Sequence, residues 1–318
     1  MTARLPDFFI VGHPKSGTTA LYEMLRQHPQ IYMPRYKEPR YFASDLPSSF
    51  QRHSDAPPLT YEDYLDLFRD AQASQLVGEA STAYIWSHTA PALIAEARPD
   101  ARIVVILREP ASFVRSMHLQ LLQIRLEPEP DLRVAIGLEE ERRLGRGLPS
   151  SMTRWPQVLL YTDRVRYVEQ LRRYHELFGR EQVLVLIYDD FRDDNEAVVR
   201  RVLRFLDVDE NAPIGVLQAN PTVRVRSTRL EDLAHRADLG RSPLGNAVKR
   251  TARVLLPSQR LRKEAFWLLR RRVIFGEPPP PDESLMLELR HRFTPEVQAL
   301  AEYLDRDLVT LWGYDQLA

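Results

Sequence analysis

The chain has 318 residues, with 44 basic and 44 acidic side chains, 44% hydrophobic residues, 12 glycines, 24 prolines and no cysteine. This is a globular composition with enough apolar residues for a sizeable core, in one large α/β domain or two smaller ones, and its zero formal charge argues against a general nucleic-acid binder. Without cysteine there is no disulfide framework, thiol nucleophile or cysteine metal site, which fits a cytoplasmic location.

The first apolar run, Phe8 to Gly12, is too short to span a bilayer. Pro14 and Lys15 follow it, not a small-residue cleavage site, so neither a signal peptide nor a transmembrane segment is expected. From Thr18 to Gln27 the apolar residues Ala20, Leu21, Met24 and Leu25 have helical spacing, giving strand, loop, helix. The pattern returns at Arg102 to Leu107, a buried-strand signal followed by Arg108-Glu109-Pro110 and a helix from Ala111 to about Ile124. A third strand, Val183 to Tyr188, precedes Asp189-Asp190 and a helix from Asn195 to Leu206. Apolar strands alternating with helices predict an α/β fold of three layers around a central parallel sheet. Ligands of such sheets bind beyond the carboxyl ends of the strands.

Pro47 to Thr60 and Glu127 to Leu148 read as polar, turn-rich segments over that end of the sheet. Arg241 to Arg272 carries ten basic residues against one acid, Glu264, and is amphipathic in outline. A helical tail ending near Trp312 closes the chain.

Gly12-His13-Pro14-Lys15-Ser16-Gly17-Thr18-Thr19 joins the first strand to its helix and repeats the two-glycine frame of a phosphate loop. Backbone N–H groups of such a turn and of the helix N-terminus converge on an anion, and glycine permits close approach. In nucleotide hydrolases the lysine follows the second glycine and a Ser/Thr holds magnesium. Here Thr18 takes the lysine's place and Lys15 lies three residues earlier, where it can meet the bridging oxygen of a leaving phosphate. Lysine is rare in this chain, four residues against 40 arginines, which singles Lys15 out further. Taken alone, the glycine frame fits a structural turn equally well. The second turn adds Arg108 at a strand end and Ser116 eight residues on, a fork and a hydroxyl for a second phosphate; the competing reading of Arg108 is a salt-bridge partner. Two anion sites at neighbouring strand ends imply a ligand phosphorylated at two places.

Pro14-Lys15-Ser16-Gly17-Thr18-Thr19, with Arg108-x-Pro110 and Ser116, resembles the paired motifs of sulfotransferases that use 3′-phosphoadenosine 5′-phosphosulfate (PAPS). The resemblance continues through Lys37-Glu38-Pro39-Arg40-Tyr41-Phe42, Gly78 to Tyr84, Val185 to Phe191 and the tail from Leu285 to Trp312, and is nearest to soluble bacterial members and the heparan-type carbohydrate branch. It implies a P-loop-like nucleotide-binding fold and a single sulfotransferase domain over residues 1–318, with the basic helical segment at about 241–276 flanking the acceptor pocket. Lys15 would act as acid toward the leaving phosphate, while Ser16, Gly17, Thr18 and Thr19 cradle the 5′-phosphosulfate. Arg108 and Ser116 would hold the 3′-phosphate and Tyr188 would touch the adenine, adenosine 3′,5′-bisphosphate (PAP) being the product.

Glu38 matches the general base of the carbohydrate branch, and a carboxylate beside a cationic lysine in a dry cleft can deprotonate an alcohol. Its competing reading is a glutamate paired with Lys37 or Arg40. Glu79 is the rival base, in a segment where the family's usual Lys or His is absent. No metal is implied. The acceptor would be a hydroxyl on a small molecule, carbohydrate, lipid or carrier-bound chain. Two alternatives remain open: a P-loop small-molecule kinase using ATP and magnesium, and a non-catalytic binding protein of the same fold. His13 is read as shaping the loop and His118 as lying on a helix face.

Overall fold

Strand β1, Phe8–Ile10, is Phe-Phe-Ile without a polar side chain, and all three residues have zero exposure. A strand of this kind has to be covered on both faces, and it lies at the centre of a five-stranded sheet. The computed structural model describes residues 4–46, 60–150, 152–153, 155–215, 224–225, 275–276 and 279–317. The other strands are β2 (Ile31–Tyr32), β3 (Leu76–Ala80), β4 (Arg102–Leu107) and β5 (Val183–Ile187), in the order β2-β3-β1-β4-β5. All pairings are parallel, with Phe8 opposite both Gly78 and Arg102, and Leu107 opposite Ile187. The expected three-layer α/β fold is the one observed.

Strand alternation sends Phe8 and Ile10 to one face and Phe9 to the other. Phe8 and Ile10, with Val104, Ile106 and Leu186, pack against α1 (Thr18–Leu25) and α9 (Asn195–Phe205) through Leu21, Met24, Leu25, Val199, Val202 and Leu203. Phe9 meets the rings of Phe42 and Tyr84 edge-on on the opposite face. Gly12 is where the chain leaves β1, and a Cβ there would lie 2.3 Å from the Ile106 backbone nitrogen, so only glycine lets it pass β4 this closely.

The helices between these strands are α2 (Tyr61–Asp66), α3 (Ala90–Ala97), α4 (Pro110–Gln123), α5 (Leu132–Gly137), α6 (Glu139–Arg143), α7 (Tyr167–His175) and α8 (Tyr188–Asp193), and α10 (Glu283–Leu304) and α11 (Leu308–Leu311) form the tail. The third strand is one residue shorter than expected, because Tyr188 opens α8 directly, with Asp189 and Asp190 in the first turn where the helix dipole favours acids. The Glu127–Leu148 stretch differs more. It holds α5 and α6 in place of an irregular loop, because Asp131 caps α5 at the Arg133 and Val134 N–H groups and Arg142 reaches a fully buried Glu127. The Pro47–Thr60 loop, apart from Thr60, lies outside the described residues, as does the basic segment at 241–276 apart from Phe275 and Gly276.

The chain divides into two compact units. The first comprises Met1–His118, Glu127–Asn220 and Asp282–Ala318 and contains the whole parallel sheet. The second comprises Leu119–Leu126 and Pro221–Pro281; within it β6 (Arg224–Val225) pairs antiparallel with β7 (Phe275–Gly276). Among the described residues no helix is long and apolar enough to cross a membrane.

Candidate active site

The first unit puts its chemistry at the carboxyl ends of β1, β3, β4 and β5, where the order of connections reverses about β1. The loop after β1 turns through two left-handed residues, Lys15 at φ 65° and Gly17 at φ 85°. At Gly17 a Cβ would come within 2.8 Å of the Phe191 ring, so glycine is required by space as well as by φ. Among the described residues no side chain caps the N-terminus of α1, and its first turn has no acid. The free N–H groups therefore face the loop with the positive end of the helix dipole behind them.

Ser16 is fully buried and its Oγ has no hydrogen-bond partner among the described residues, an orphaned donor that a phosphate oxygen would satisfy. Thr18 is buried and Thr19 exposed on the first turn of the helix. The Lys15 ammonium has no hydrogen-bond or ion-pair partner among the described residues. Burial, and after it the Arg108 guanidinium, lower its pKa below the usual lysine value. A cation in this state gains by meeting an anion.

His13 underlies the loop. Its Nε2 donates to Gln170 Oε1 at 2.9 Å, while Gln170 Nε2 donates to the Arg164 carbonyl, fixing the amide's orientation. The ring packs on Phe113 and Tyr167, and burial lowers its pKa to about 3, so it is a neutral structural group.

Arg108 ends β4. Its Nη1 donates to the Lys15 carbonyl at 2.8 Å and its guanidinium lies 4.9 Å from the centre of the Tyr188 ring, while Tyr167 Oη donates to its carbonyl. Three expected site residues from three strand ends, Lys15, Arg108 and Tyr188, thus come together. No carboxylate pairs with Arg108 among the described residues, so the salt-bridge reading finds no partner there. Ser116 is buried in α4. Arg115 beside it was not singled out by sequence; burial, and after it the nearby Arg108 guanidinium, lower its pKa.

Glu38 stands at the exit of β3. Its N–H donates to the Ala80 carbonyl at 2.9 Å, the Arg40 N–H to Ser81 Oγ at 3.0 Å and the Phe42 N–H to Tyr84 Oη at 3.3 Å. Alternate residues of the segment are thereby fastened to one strand end, which holds Glu38 and Arg40 in the left-handed region at φ 65° and 57°. The carboxylate accepts from Lys37 Nζ at 3.1 Å, Arg40 Nη2 at 2.6 Å and Thr82 Oγ1 at 3.3 Å. Burial pushes its pKa up, but Lys37 and Arg40 outweigh burial and hold it at about 2. The pairing expected of an inert glutamate is present, yet about a fifth of the side chain remains exposed, so the ionised group is still reachable.

Glu79 is different in kind. It has zero exposure, accepts from Tyr64 Oη at 2.6 Å and Tyr84 Oη at 3.1 Å, and burial pushes it up to about 7. Tyr84 joins it to Phe42, so Glu79 lies behind the Glu38 segment as part of its support.

Sequence reading also missed three anchors of the tail. Arg306 forms a two-pronged pair with Asp190 at 2.6 and 2.7 Å, Trp312 Nε1 donates to Asp189, and Tyr314 Oη donates to Glu109. Their partners directly follow Tyr188 and Arg108, and no local motif marks contacts made across more than a hundred residues.

Comparison with known proteins bears on the fold and the family. Carbohydrate sulfotransferase 15 of Mus musculus is 26% identical over 249 residues, covering 64% of this chain and 44% of that protein. Heparan sulfate glucosamine 3-O-sulfotransferase 3A1 of Mus musculus is 28% identical over 203 residues, covering 64% and 46%. The chain thus spans under half the length of these curated relatives. A solved sulfotransferase structure from Alicyclobacillus acidocaldarius superposes with a TM-score of 0.68 at 26% identity, covering 97% of this chain and 99% of that one, and shares its P-loop-like α/β fold. The sulfotransferase family model matches residues 6–212, which include the β1 loop, the Glu38 segment and the Arg108 turn, and by that match the chain belongs to the sulfotransferase family.

Proposed function

We propose that the protein transfers a sulfonate group from PAPS to an acceptor hydroxyl by in-line displacement. The observation that carries this reading is the meeting of Lys15 and Arg108 around an uncapped helix N-terminus, with the Ser16 hydroxyl orphaned beside them. The donor set is cationic and rich in N–H groups, which fits a ligand with separate 5′ and 3′ anionic groups. Bound PAPS supplies an activated sulfonate whose leaving group is a phosphate.

In this reading Ser16, Gly17, Thr18 and Thr19 hold the 5′ end, and Lys15 neutralises charge on the departing oxygen, where a preorganised cation stabilises the transition state most. Arg108 and Ser116 take the 3′-phosphate and Tyr188 lines the base site. Glu38 orients the acceptor hydroxyl and takes its proton. With its pKa near 2 it is a weak base toward a free alcohol, so the proton moves late, once the forming O–S bond has made the hydroxyl acidic. Positioning by the β3 exit therefore matters more than basicity.

Calorimetric titration with PAP in the absence of magnesium, with AMP and ATP as controls, tests the cofactor class. Binding that requires the 3′-phosphate is the expected result. Binding of ATP only, with magnesium, would overturn the reading in favour of a kinase. Transfer of labelled sulfonate to a hydroxyl acceptor then separates an enzyme from a binding protein of the same fold.

A further inference from the structure

Beside the cofactor cradle the first unit holds an open cavity of about 330 Å³, with Asp45, Leu46, Trp86, Arg164, Glu169 and Gln170 among its lining residues. Its rim is exposed and polar, whereas Arg164 and Gln170 are 3% and 2% exposed. The cavity adjoins both halves of the site. Gln170 holds His13, two residues before Lys15; Asp45 and Leu46 continue the segment that carries Glu38; and Arg40, which grips Glu38, is close enough to Arg164 to influence it electrostatically.

Among the described residues the carboxylates of the lining are all satisfied, Asp45 by hydrogen bonds without a cation and the others by arginines, whereas one lining arginine is not. Asp45 accepts from Ser87 Oγ, the His88 N–H and Thr89 Oγ1. Asp163 is held by Arg143, and Glu169 by Arg173 and Arg166. Arg164 has no carboxylate within ion-pair distance among the described residues. Its guanidinium carbon lies over the Trp86 ring, 3.8 Å from the centre, and among the described residues Nη2 reaches only the Val158 carbonyl at 3.4 Å and Nε has no partner. Burial pulls its pKa down to about 9, with Tyr161 opposing and Arg40 adding to the shift, so it remains charged at neutral pH. A buried cation without a counter-charge is costly unless a ligand supplies one.

We propose that this cavity is an acceptor subsite in which Arg164 selects a carboxylate carried by the hydroxyl compound to be sulfonated. The subsite's role as acceptor site rests on the sulfonate-transfer reading above; its affinity for a carboxylate does not. The volume is at the small end for ligand pockets and suits one ring-sized group. Its lining side chains other than Leu46 and Trp86 all carry polar groups, which suits a polyhydroxylated acid better than an acyl chain.

The test is titration of the PAP-saturated full chain with methyl glucuronide, methyl glucoside and 3-hydroxyoctanoate, followed by tryptophan fluorescence, because Arg164 lies on Trp86. A charge-assisted bond to the guanidinium should make the glucuronide bind at least about tenfold tighter than the glucoside. Trp86→Phe should remove the signal, Arg164→Gln the preference, and Arg164→Lys should restore part of it. The wild-type comparison stands even if a variant fails to fold. Equal affinity for the two glycosides, no binding of either, tighter binding of 3-hydroxyoctanoate, or a folded Arg164→Gln that keeps the preference would each overturn the proposal. PAP titrated into the same preparation reports separately: loss of its 3′-phosphate requirement with glucuronide binding intact removes the acceptor role, and the converse removes the carboxylate site alone.

Discussion

Arg108 donates from Nη1 to the Lys15 carbonyl at 2.8 Å, so one cation of the site positions the other. Lys15 sits in the left-handed region, which costs a non-glycine residue about 1–2 kcal/mol, and the bond helps to hold it there. Lys15→Ala should therefore reduce turnover by at least about 10²-fold, the scale of losing one transition-state donor, while PAP still binds. Arg108→Ala should act twice, weakening PAP binding and also lowering turnover at saturation. Steady-state kinetics with calorimetry separate the two effects. Near-normal turnover in Lys15→Ala, or unchanged 3′-phosphate selectivity in Arg108→Ala, would contradict these roles.

Glu38 and Glu79 are 41 residues apart in sequence but share the β3 exit, one reachable and ionised, the other sealed beneath it. Glu38→Gln should abolish turnover and leave PAP affinity unchanged. Glu79→Gln should keep partial turnover, because the amide still accepts from Tyr64 and Tyr84. Since Glu38 is ionised above about pH 2, the turnover profile should show no acidic limb from it between pH 4 and 7. The opposite ranking of the two variants would make Glu79 the base.

Stability should carry the signature of Glu79. Its folded pKa of about 7 stands above the usual 4.5, so below pH 4.5 both folded and unfolded chains hold the proton. As pH rises from 4.5 to 7 only the folded chain keeps it, and stability falls by a total on the order of 3 kcal/mol. His13 works the other way. Its folded value of about 3 lies below 6.5, so its contribution is lost as pH falls from 6.5 toward 3. The two slopes oppose each other between pH 4.5 and 6.5. Relative to wild type, Glu79→Gln should therefore gain stability as pH rises from 4.5 to 7, measured by denaturant unfolding at several pH values. A wild-type-minus-variant difference that is flat with pH would show that Glu79 does not bind the extra proton.

The buried pair of Glu127 and Arg142 gives a second stability test. Both side chains have zero exposure, Arg142 reaches both carboxylate oxygens at 2.7 Å, and Tyr161 Oη donates to the same group. Arg142→Met leaves a buried carboxylate without its counter-charge and should cost about 3–5 kcal/mol. Combining it with Glu127→Gln should recover part of that loss. An additive double mutant in urea unfolding would mean that the two groups do not interact.

Strands β1, β4 and β5, the β1 loop and the Arg108 turn were legible in the sequence because each is local: an apolar run, a glycine at a forced φ, an arginine at a strand end; β2, only two residues long, and β3, with Gly78 and Glu79 inside it, were not. The Glu127–Leu148 segment was not. Its charges look solvated in one dimension, and the pairing that buries Arg142 joins residues 15 apart with Tyr161 beyond them. Arg164 and Gln170 carry no motif either, and their importance appears only when Trp86, His13 and Arg40 surround them. Glu79 and Glu38 could be ranked only once burial was known, since a strand position does not reveal which carboxylate is sealed.

The tail joins the two turns that hold Arg108 and Tyr188. Tyr314 donates to Glu109 at 2.6 Å, and Glu109 in turn accepts from the Ala111 and Ser112 N–H groups at the start of α4. Trp312 and Arg306 do the same for Asp189 and Asp190, the first turn of α8. Each bond to a charged group contributes about 1.5–3 kcal/mol at most, so no single one should be decisive. Tyr314→Phe should consequently lower thermal stability slightly with little change in PAP affinity. Truncation after Asp305 removes all three bonds and frees both turns; the remaining chain should bind PAP at least about tenfold more weakly, an energy within reach of one such bond. The loss should be larger for PAP than for AMP, because Arg108 is the group assigned to the 3′-phosphate. A truncated chain that folds, shown by its far-UV circular dichroism, and binds PAP as tightly as the full chain would reduce the tail to a packing element with no part in shaping the site.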